Sequence, residues 1–516
     1  MIKTAAVIVP PLCDFYFTRH RFSALGAHIV GKLLERAGMK ATMLNFPLLN
    51  VKGTPIDLPP ELFYLKPFLI DGETGRLSFF TRYRRFGLPN DQCVGMIEAL
   101  RPDLCFFSLF AFCYGDDARA LAAQIKAKLP AIPLIIGGAG TSGYPEYQLT
   151  GAFDYVLQGE AEACLPPFLD AIQRPSPDFS GVKGLHFNPL RPVGHPDRQP
   201  AGTMDVPHRD EIMIPLVQTS ESSRTITFAT SLARGCPKRC DFCSSSLLFG
   251  KTLRTVPLQR LDDLLQSRLP ELVQPGKRTI INIEDDNLLC DEALFKAVIS
   301  IFRTHIPDAG FIAENGLDYT LLTPSLCTWL IENGMRKFNL SLVSTNPAIL
   351  RNRGRSLDLG RYETVIALLA AKNIQTVTYV ICGFEGDTVQ TVADTLNYLN
   401  GKPTLIGISP FYPAPGLPGF TDPQKFGPLT ARLCCGSSMY PWNQSLSTAT
   451  MVTAFRLARL SNLKKNAIKS VMEEKVLTLI GKEKRLYTVK PGINGKEEIT
   501  QAPGMDGELL KRVNFL

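Results

Sequence analysis

The sequence predicts an α/β protein: an N-terminal doubly wound parallel sheet, then a partial (β/α)6 barrel, then a small C-terminal mixed or helical region. Two observations carry this. Short, continuously apolar strand-like runs alternate with amphipathic helical runs over residues 1–175 and again over 221–425, the pattern of parallel strands buried on both faces. Between the two series, residues 176–220 are rich in proline and polar residues and read as a linker. A chain of 516 residues is long enough to give each series its own core.

In order, TAAVIVP (4–10) reads as a strand, FSALGAHIVGKLLERAG (22–38) as an amphipathic helix ending on Gly38, and KATMLNF (40–46) as a strand. Residues 47–90 are proline-rich and irregular, and a helix starts near Asn90-Asp91, which can cap it. DLCFFSLF (strand), GDDARALAAQIKAKL (helix), IPLIIGG (strand), a short helix, YVLQGE (strand) and AEACLPPFLDAI (helix) complete the first series. Five such strands imply a ligand at the C-terminal strand edge. The second series has strands at 225–231, 279–285, 310–316, 337–343, 375–381 and 404–410. Six strands suit a partial barrel, whose chemistry sits where strands end and loops begin. Beyond residue 425 a helix is expected near 448–480.

Composition excludes several classes. The net charge is +8, from 56 basic and 48 acidic residues, too mild to argue for nucleic acid. The basic run around Arg456–Arg485 reads as a solvated helix face. No apolar stretch reaches about 18 residues, so no membrane span is expected, and the start lacks a secretory signal. Thirteen cysteines, an odd number spread along the chain, suit a reducing cytoplasm better than a disulfide framework. Ten of them read as buried small hydrophobes.

The other three are together. ARGCPKRCDFCSSS (233–246) sets Cys236, Cys240 and Cys243 at C-x3-C-x2-C, directly after the first barrel strand. A structural zinc site wants four ligands, and no partner knuckle is in range. An ordinary ferredoxin cluster uses four cysteines. Three fit a cubane 4Fe–4S cluster with one iron left open to chelate a substrate or cofactor. Gly235 and Pro237 suit the tight loop this needs.

This spacing, with Phe242 before the last cysteine, resembles the signature of the radical S-adenosylmethionine enzymes. The resemblance implies that the open iron holds the amino and carboxylate groups of S-adenosylmethionine, and that reduction yields a 5′-deoxyadenosyl radical. It implies a low-potential electron donor such as flavodoxin or ferredoxin. Of Glu284, Asp285 and Asp286 at the end of the second barrel strand, Asp286 is favoured for the methionine amino group. Ser344 matches a ribose-binding residue and Arg355 an arginine for the carboxylate, although Val343 stands where many relatives carry a glutamate. Ile381 matches a position near the adenine.

Upstream, FFSLFAF, IIGGAGTSGYPE and DYVLQGEAE resemble the Rossmann-like cobalamin-binding domain that precedes many enzymes of this kind. The candidate contacts are Ser108, Gly137, Gly138 and Thr141, with the two glycines letting the backbone approach a nucleotide tail. The D-x-H-x-x-G motif that supplies a cobalt ligand elsewhere is absent. His20 and His28 precede its place and read as loop or helix-face residues.

Together the two resemblances imply a methyltransferase acting on an unactivated carbon or phosphorus centre of a small metabolite. Three alternatives stay open: a non-methylating rearrangement or cyclisation, a radical enzyme with a vestigial cobalamin domain, and an iron–sulfur redox sensor. Cys434-Cys435, adjacent in the C-terminal part, read as buried thiols or a thiol pair with a function. Trp442 and Tyr440 beside them read as core or pocket lining.

Overall fold

The computed structural model describes residues 2–19, 22–69, 82–189, 207, 210–422, 431–466, 487–491, 497–501 and 504–514. The chain forms two compact units: Met1–Ile56, Arg84–Phe311 and Ala414–Cys434 in the first, and Asp57–Tyr83, Ile312–Pro413 and Cys435–Leu516 in the second.

The first unit opens with the doubly wound sheet. Its strands are β1 (Thr4–Val9), β2 (Lys40–Asn45), β3 (Leu104–Ser108), β4 (Leu134–Gly137), β5 (Tyr155–Leu157) and β6 (Leu185–Phe187), in the order β2-β1-β3-β4-β5-β6. The first five are parallel, and β6 pairs antiparallel with β5. The strand alternation explains the two layers. Ala5, Val7, Val9, Phe106 and Ile135 face α1 (Leu25–Arg36) and α4 (Ala161–Ile172). Ala6, Ile8, Cys105, Phe107 and Ile136 face α2 (Asn90–Leu100) and α3 (Gly115–Lys128). Strands buried on both sides have no room for polar side chains, hence the unbroken apolar runs. The strand order reverses between β1 and β3, so the crevice for a ligand lies at their C-terminal ends.

Three features depart from the sequence reading. The stretch 176–220 supplies β6 and also β7 (Leu216–Glu221), which pairs antiparallel with the first barrel strand. Asn90 does not cap α2: it is the first helical residue, and its Oδ1 accepts from Arg85 Nη1 at 2.9 Å. Between 46 and 69 the irregular excursion contains two 3-10 turns, Phe46–Asn50 and Pro60–Phe68. A buried ion pair, Lys126 Nζ to Asp154 Oδ2 at 2.7 Å, anchors α3 to the turn before β5.

The six expected barrel strands all form: β8 (Thr225–Thr230), β9 (Arg278–Ile283), β10 (Gly310–Ile312), β11 (Lys337–Val343), β12 (Gln375–Cys382) and β13 (Leu405–Pro410). β7-β8-β9-β10 make one sheet and β11-β12-β13 another, with parallel pairing from β8 to β9 and from β11 through β13. Helices α5 (Leu258–Leu272), α6 (Glu292–His305), α7 (Pro324–Glu332), α8 (Leu359–Ala371) and α9 (Val389–Asn400) alternate with the strands. The segment from Ala414 to Cys434 returns to the first unit. A Cβ on Gly143 would lie 1.9 Å from the Pro415 carbonyl oxygen, and Arg432 Nη2 donates to the buried Asp117 at 2.9 Å.

In the second unit, α10 (Thr448–Asn466) corrects the reading of a solvated basic face. Arg456 is fully buried and donates to the Phe68 carbonyl at 3.0 Å. Lys465 donates to the Leu399 and Thr404 carbonyls, and burial lowers its ammonium pKa to about 8. This correction holds for Arg456 and Lys465; Arg459 is exposed, and residues 467–480 of the expected helix and 467–485 of the basic run lie outside the described residues. Among the described residues, no helix is long and apolar enough to cross a membrane.

Candidate functional site

The cysteine loop follows β8 through a short strand at Ala233–Arg234. Residues 229–235 are all buried, whereas 240–250 are all half-buried, the apolar Phe242, Leu247, Leu248 and Phe249 included. The loop is closed at its ends. Gly235 takes φ +87°, where a Cβ would lie 2.3 Å from the Thr252 carbonyl oxygen, and the Cys236 N–H donates to the Gly250 carbonyl at 3.3 Å. Inside it, the Cys243 N–H donates to the Cys240 carbonyl at 3.2 Å.

The sulfurs have polar neighbours. Asn287 Nδ2 donates to Cys236 Sγ at 3.8 Å. The Cys243 thiol meets Ser245 Oγ at 3.3 Å, and Ser245 donates to Asp286 Oδ1 at 2.7 Å. None of the thirteen cysteines is in a disulfide. Cys236, Cys240 and Cys243 are half-buried, and eight of the other ten are buried, Cys290 and Cys435 being the exceptions. Among the described residues, no three His, Cys, Asp or Glu side chains converge as a single metal ion would require. A cluster asks for something different, since each thiolate binds a separate iron and the sulfurs stand around the group rather than at one point. Three half-exposed thiols on one tight loop fit that demand.

The acidic run at the end of β9 divides its labour. Asp285 is buried and braces the approach to the loop: its Oδ1 accepts from the Leu232 and Ala233 N–H groups at 2.8 and 2.5 Å and from Ser231 Oγ at 3.1 Å. Burial raises its carboxyl pKa to about 6. Asp286 is tied to Cys243 through Ser245, and burial raises its pKa too. Glu284 accepts from Ser23 Oγ at 2.6 Å, reaching the residue before the turn into α1.

A cavity of about 380 Å³ lies within this first unit, at the β1/β3 crevice. Ser108, Gly137 and Gly138 line one part of it, and Arg234, Glu284 and Asp286 another. Its volume suits one portion of a large cofactor, such as a nucleotide tail. Gly138 takes φ +105°, where a Cβ would lie 2.6 Å from the Leu109 carbonyl oxygen. Thr141 is placed differently from the expectation. It is fully buried, does not line the cavity, and donates to the Gly138 carbonyl at 2.9 Å, shaping the turn. His28 is not among the lining residues, and His20 lies outside the described residues.

Sequence reasoning passed over the charged residues that join the two halves of this site. Arg234, two positions before Cys236, is buried, donates to Ser231 Oγ at 2.6 Å, and lies 3.9 Å from both Glu160 Oε2 and Glu162 Oε1. Arg254 donates to Glu160 Oε1 and, at 3.0 Å, to the Phe249 carbonyl. The sequence marks them only by place, Glu160 just past a strand and Arg234 two positions before Cys236.

The remaining candidates lie in the second unit. Val343 has φ +70°, a strained setting for a β-branched residue, and the β11–β12 register shifts there. Ser344 is buried, and its Oγ accepts from the Asn346 N–H at 3.1 Å. Arg355 donates to the Ser341 carbonyl at 2.9 Å and lies 3.8 Å from Asp318. Ile381 is half-buried near the end of β12, opposite Ser409. Tyr440 and Trp442 pack edge to face at 5.0 Å.

Residues 230–399 match the family model of the Radical SAM superfamily. That stretch is thus a radical S-adenosylmethionine domain, with the cysteine loop near its start. The fold as a whole is similar to that of two solved enzymes. The radical S-adenosylmethionine methyltransferase TsrM from Kitasatospora setae, solved with cobalamin and a 4Fe–4S cluster, superposes with a TM-score of 0.52 at 16% identity, covering 86% of this chain and 82% of that one. The cobalamin-dependent S-adenosylmethionine radical enzyme OxsB gives 0.51 at 11%, covering 98% and 64%. By sequence, an uncharacterized methyltransferase of Pyrococcus horikoshii is 24% identical over 55% of this chain and 61% of its own length. The hopanoid C-3 methylase of Methylococcus capsulatus is 28% identical over 34% of each. The match thus spans between a third and three fifths of these curated relatives.

Proposed function

We propose that the protein is a cobalamin-dependent radical S-adenosylmethionine methyltransferase acting on an unactivated carbon or phosphorus centre of a small molecule. The observation that carries this is the continuous lining of one cavity, from Ser108 and Gly137–Gly138 at the crevice to Arg234 and Asp286 beside the three-cysteine loop. Two large cofactors that must meet one substrate need their sites adjoining, because the reaction is a positioning problem.

Cys236, Cys240 and Cys243 would hold the 4Fe–4S cluster. Phe242, Asp286, Ser344, Arg355 and Ile381 are the residues assigned to S-adenosylmethionine, and Ser108, Gly137 and Gly138 those assigned to cobalamin, with Thr141 shaping their turn. When bound, these groups supply one-electron chemistry and a transferable methyl group. The chain's own residues hold the site still: Asp285 fixes the backbone before the loop, Asn287 donates to Cys236, and Ser245 links Cys243 to Asp286. Phe106, Leu157 and Leu165 keep much of the cavity apolar, which favours exclusion of water. We assign the organisation 1–175 cobalamin-binding, 176–220 connecting while adding the edge strands β6 and β7, 221–425 barrel and 426–516 C-terminal. Flavodoxin or ferredoxin is the proposed electron donor and the cytoplasm the proposed setting.

The test is anaerobic reconstitution with iron, sulfide and hydroxocobalamin, followed by S-adenosylmethionine and a low-potential reductant. We expect 5′-deoxyadenosine to form and the cobalamin spectrum to persist after gel filtration. Labelled S-adenosylmethionine with a cell extract then shows which metabolite gains the methyl group. Cleavage without retained cobalamin would point to a vestigial domain. A cluster without cleavage would point to a sensor. Cleavage with cobalamin bound and no methyl transferred would point to rearrangement.

A further inference from the structure

Asn287 closes the polar run Glu284-Asp285-Asp286-Asn287 that follows β9, and it is 9% exposed. Its carbonyl accepts the Cys290 N–H at 3.1 Å, and Leu288 and Leu289 beside it are buried, so the side chain projects from a fixed backbone. Its Nδ2 donates to Cys236 Sγ at 3.8 Å. The Lys238 N–H is a second donor to the same sulfur. Cys243 is served differently. Ser245 has one hydroxyl proton and gives it to Asp286 at 2.7 Å, so toward Cys243 Sγ, at 3.3 Å, it is placed to accept from a thiol. A thiolate bound to iron has no proton and can only accept. The Asn287 contact therefore suits the cluster-bound state, and the Ser245 contact the free thiol. The residue type fits as well. A third carboxylate at 287 would face an anionic sulfur, whereas an amide presents an N–H to it. The opposite turn of that amide would set its oxygen against a group with nothing to donate, so a bound cluster favours the orientation seen.

We propose that Asn287 tunes the reduction potential of the cluster: its amide N–H, given to Cys236 Sγ, holds that potential above the value the cysteine loop would set without it. The inference deepens the reading above and rests on its cluster, not on its cobalamin. The step concerned is the gain of one electron by the oxidised cluster from a low-potential donor; no bond is broken and no proton moves. The added electron makes the sulfurs more negative. A hydrogen bond to one of them then stabilises the reduced form more than the oxidised form, which is how donors to cluster sulfurs raise a potential. Burial strengthens the effect, because the same bond is electrostatically stronger where water is excluded. Asn287 acts through Cys236 and is therefore a positioning residue, not a catalytic one.

The experiment uses the full chain loaded anaerobically with its cluster, without added S-adenosylmethionine. Dithionite and redox mediators set the potential, and the EPR signal of the reduced cluster is followed through the titration. Asn287→Leu keeps roughly the size of the side chain and removes the donor. It should move the balance between the two forms about tenfold toward the oxidised cluster, a shift of about 59 mV to more negative potential for one electron. Asn287→Gln keeps a donor on a longer stem, and its potential should fall between those of the wild type and the leucine variant. Should the leucine variant fail to fold, Asn287→Ala removes the same donor without bulk and should lower the potential likewise. A leucine or alanine variant with a lower Tm or less iron, but with the wild-type potential in its loaded fraction, would show a structural role only and overturn the tuning. A potential that rises on loss of the amide would overturn it too. A wild-type chain that takes up no cluster would instead remove the reading beneath the inference.

Discussion

Asp285 offers a test in which the sign changes with pH. Its Oδ1 serves two buried backbone N–H groups and the Ser231 hydroxyl, and its Oδ2 has no hydrogen-bond partner. In Asp285→Ala both backbone donors lose their acceptor, at about 1–3 kcal/mol each, so about 2–6 kcal/mol when the wild-type carboxyl is protonated. Burial raises that carboxyl from 3.8 to about 6. A gap of roughly two units is worth about 3 kcal/mol. Because the folded pKa is raised, the associated stability is fully present below about pH 4 and is lost as pH rises through 6. The alanine deficit should therefore shrink by about 3 kcal/mol between pH 4 and pH 7. Asp285→Asn keeps the acceptor and never ionises, so it should match the wild type near pH 4 and exceed it by up to about 3 kcal/mol at pH 7. Urea denaturation of the cluster-free chain, followed by circular dichroism across this range, measures both gaps. If neither gap moves with pH, or if alanine costs less than about 0.5 kcal/mol at pH 4, the bracing role assigned to Asp285 is wrong.

Replacing any one of Cys236, Cys240 or Cys243 by alanine should abolish iron retention while leaving the far-ultraviolet circular dichroism unchanged; a brown, iron-loaded variant would refute the loop assignment. Gly138→Ala puts a Cβ against the Leu109 carbonyl at φ +105° and should lower stability by about 2 kcal/mol or more, with loss of cobalamin retention as the second readout. Asp154→Asn leaves Lys126 charged and buried beside β5. Breaking a buried pair in this way costs about 3–5 kcal/mol, and a urea midpoint unchanged from the wild type would contradict that.

The fold was readable because its determinants are local. Runs such as TAAVIV and LCFF admit only a doubly buried strand, and the spacing of the cysteines survives without any knowledge of contacts. What escaped the sequence depends on distant partners. Asn90 looks like a cap until Arg85 takes its carboxamide. Arg456 looks solvated until the Phe68 carbonyl accepts from it. Thr141 sits in the expected turn, yet its hydroxyl is spent on the Gly138 carbonyl. The short strands Leu185–Phe187 and Leu216–Glu221 lie in a stretch whose prolines suggested only a linker, and each gains its place by pairing with a strand already formed.

The same logic bears on how the absent histidine motif is replaced. Among the described residues between β1 and α1, none is a histidine. Leu12–Asp14 instead pairs with Arg84–Phe86, Asp14 accepts from Tyr114 at 2.7 Å, and Ser23 donates to Glu284. Polar groups in this region are thus committed to fixing one segment against another. The cavity wall follows the same rule, with Glu160 and Arg234 joining the end of β5 to the residues just before Cys236. A site built this way controls where its cofactors lie through the rigidity of its walls, so substitutions in the Glu160–Arg234–Arg254 group should change cofactor geometry, read spectroscopically, before they change the amount of iron bound.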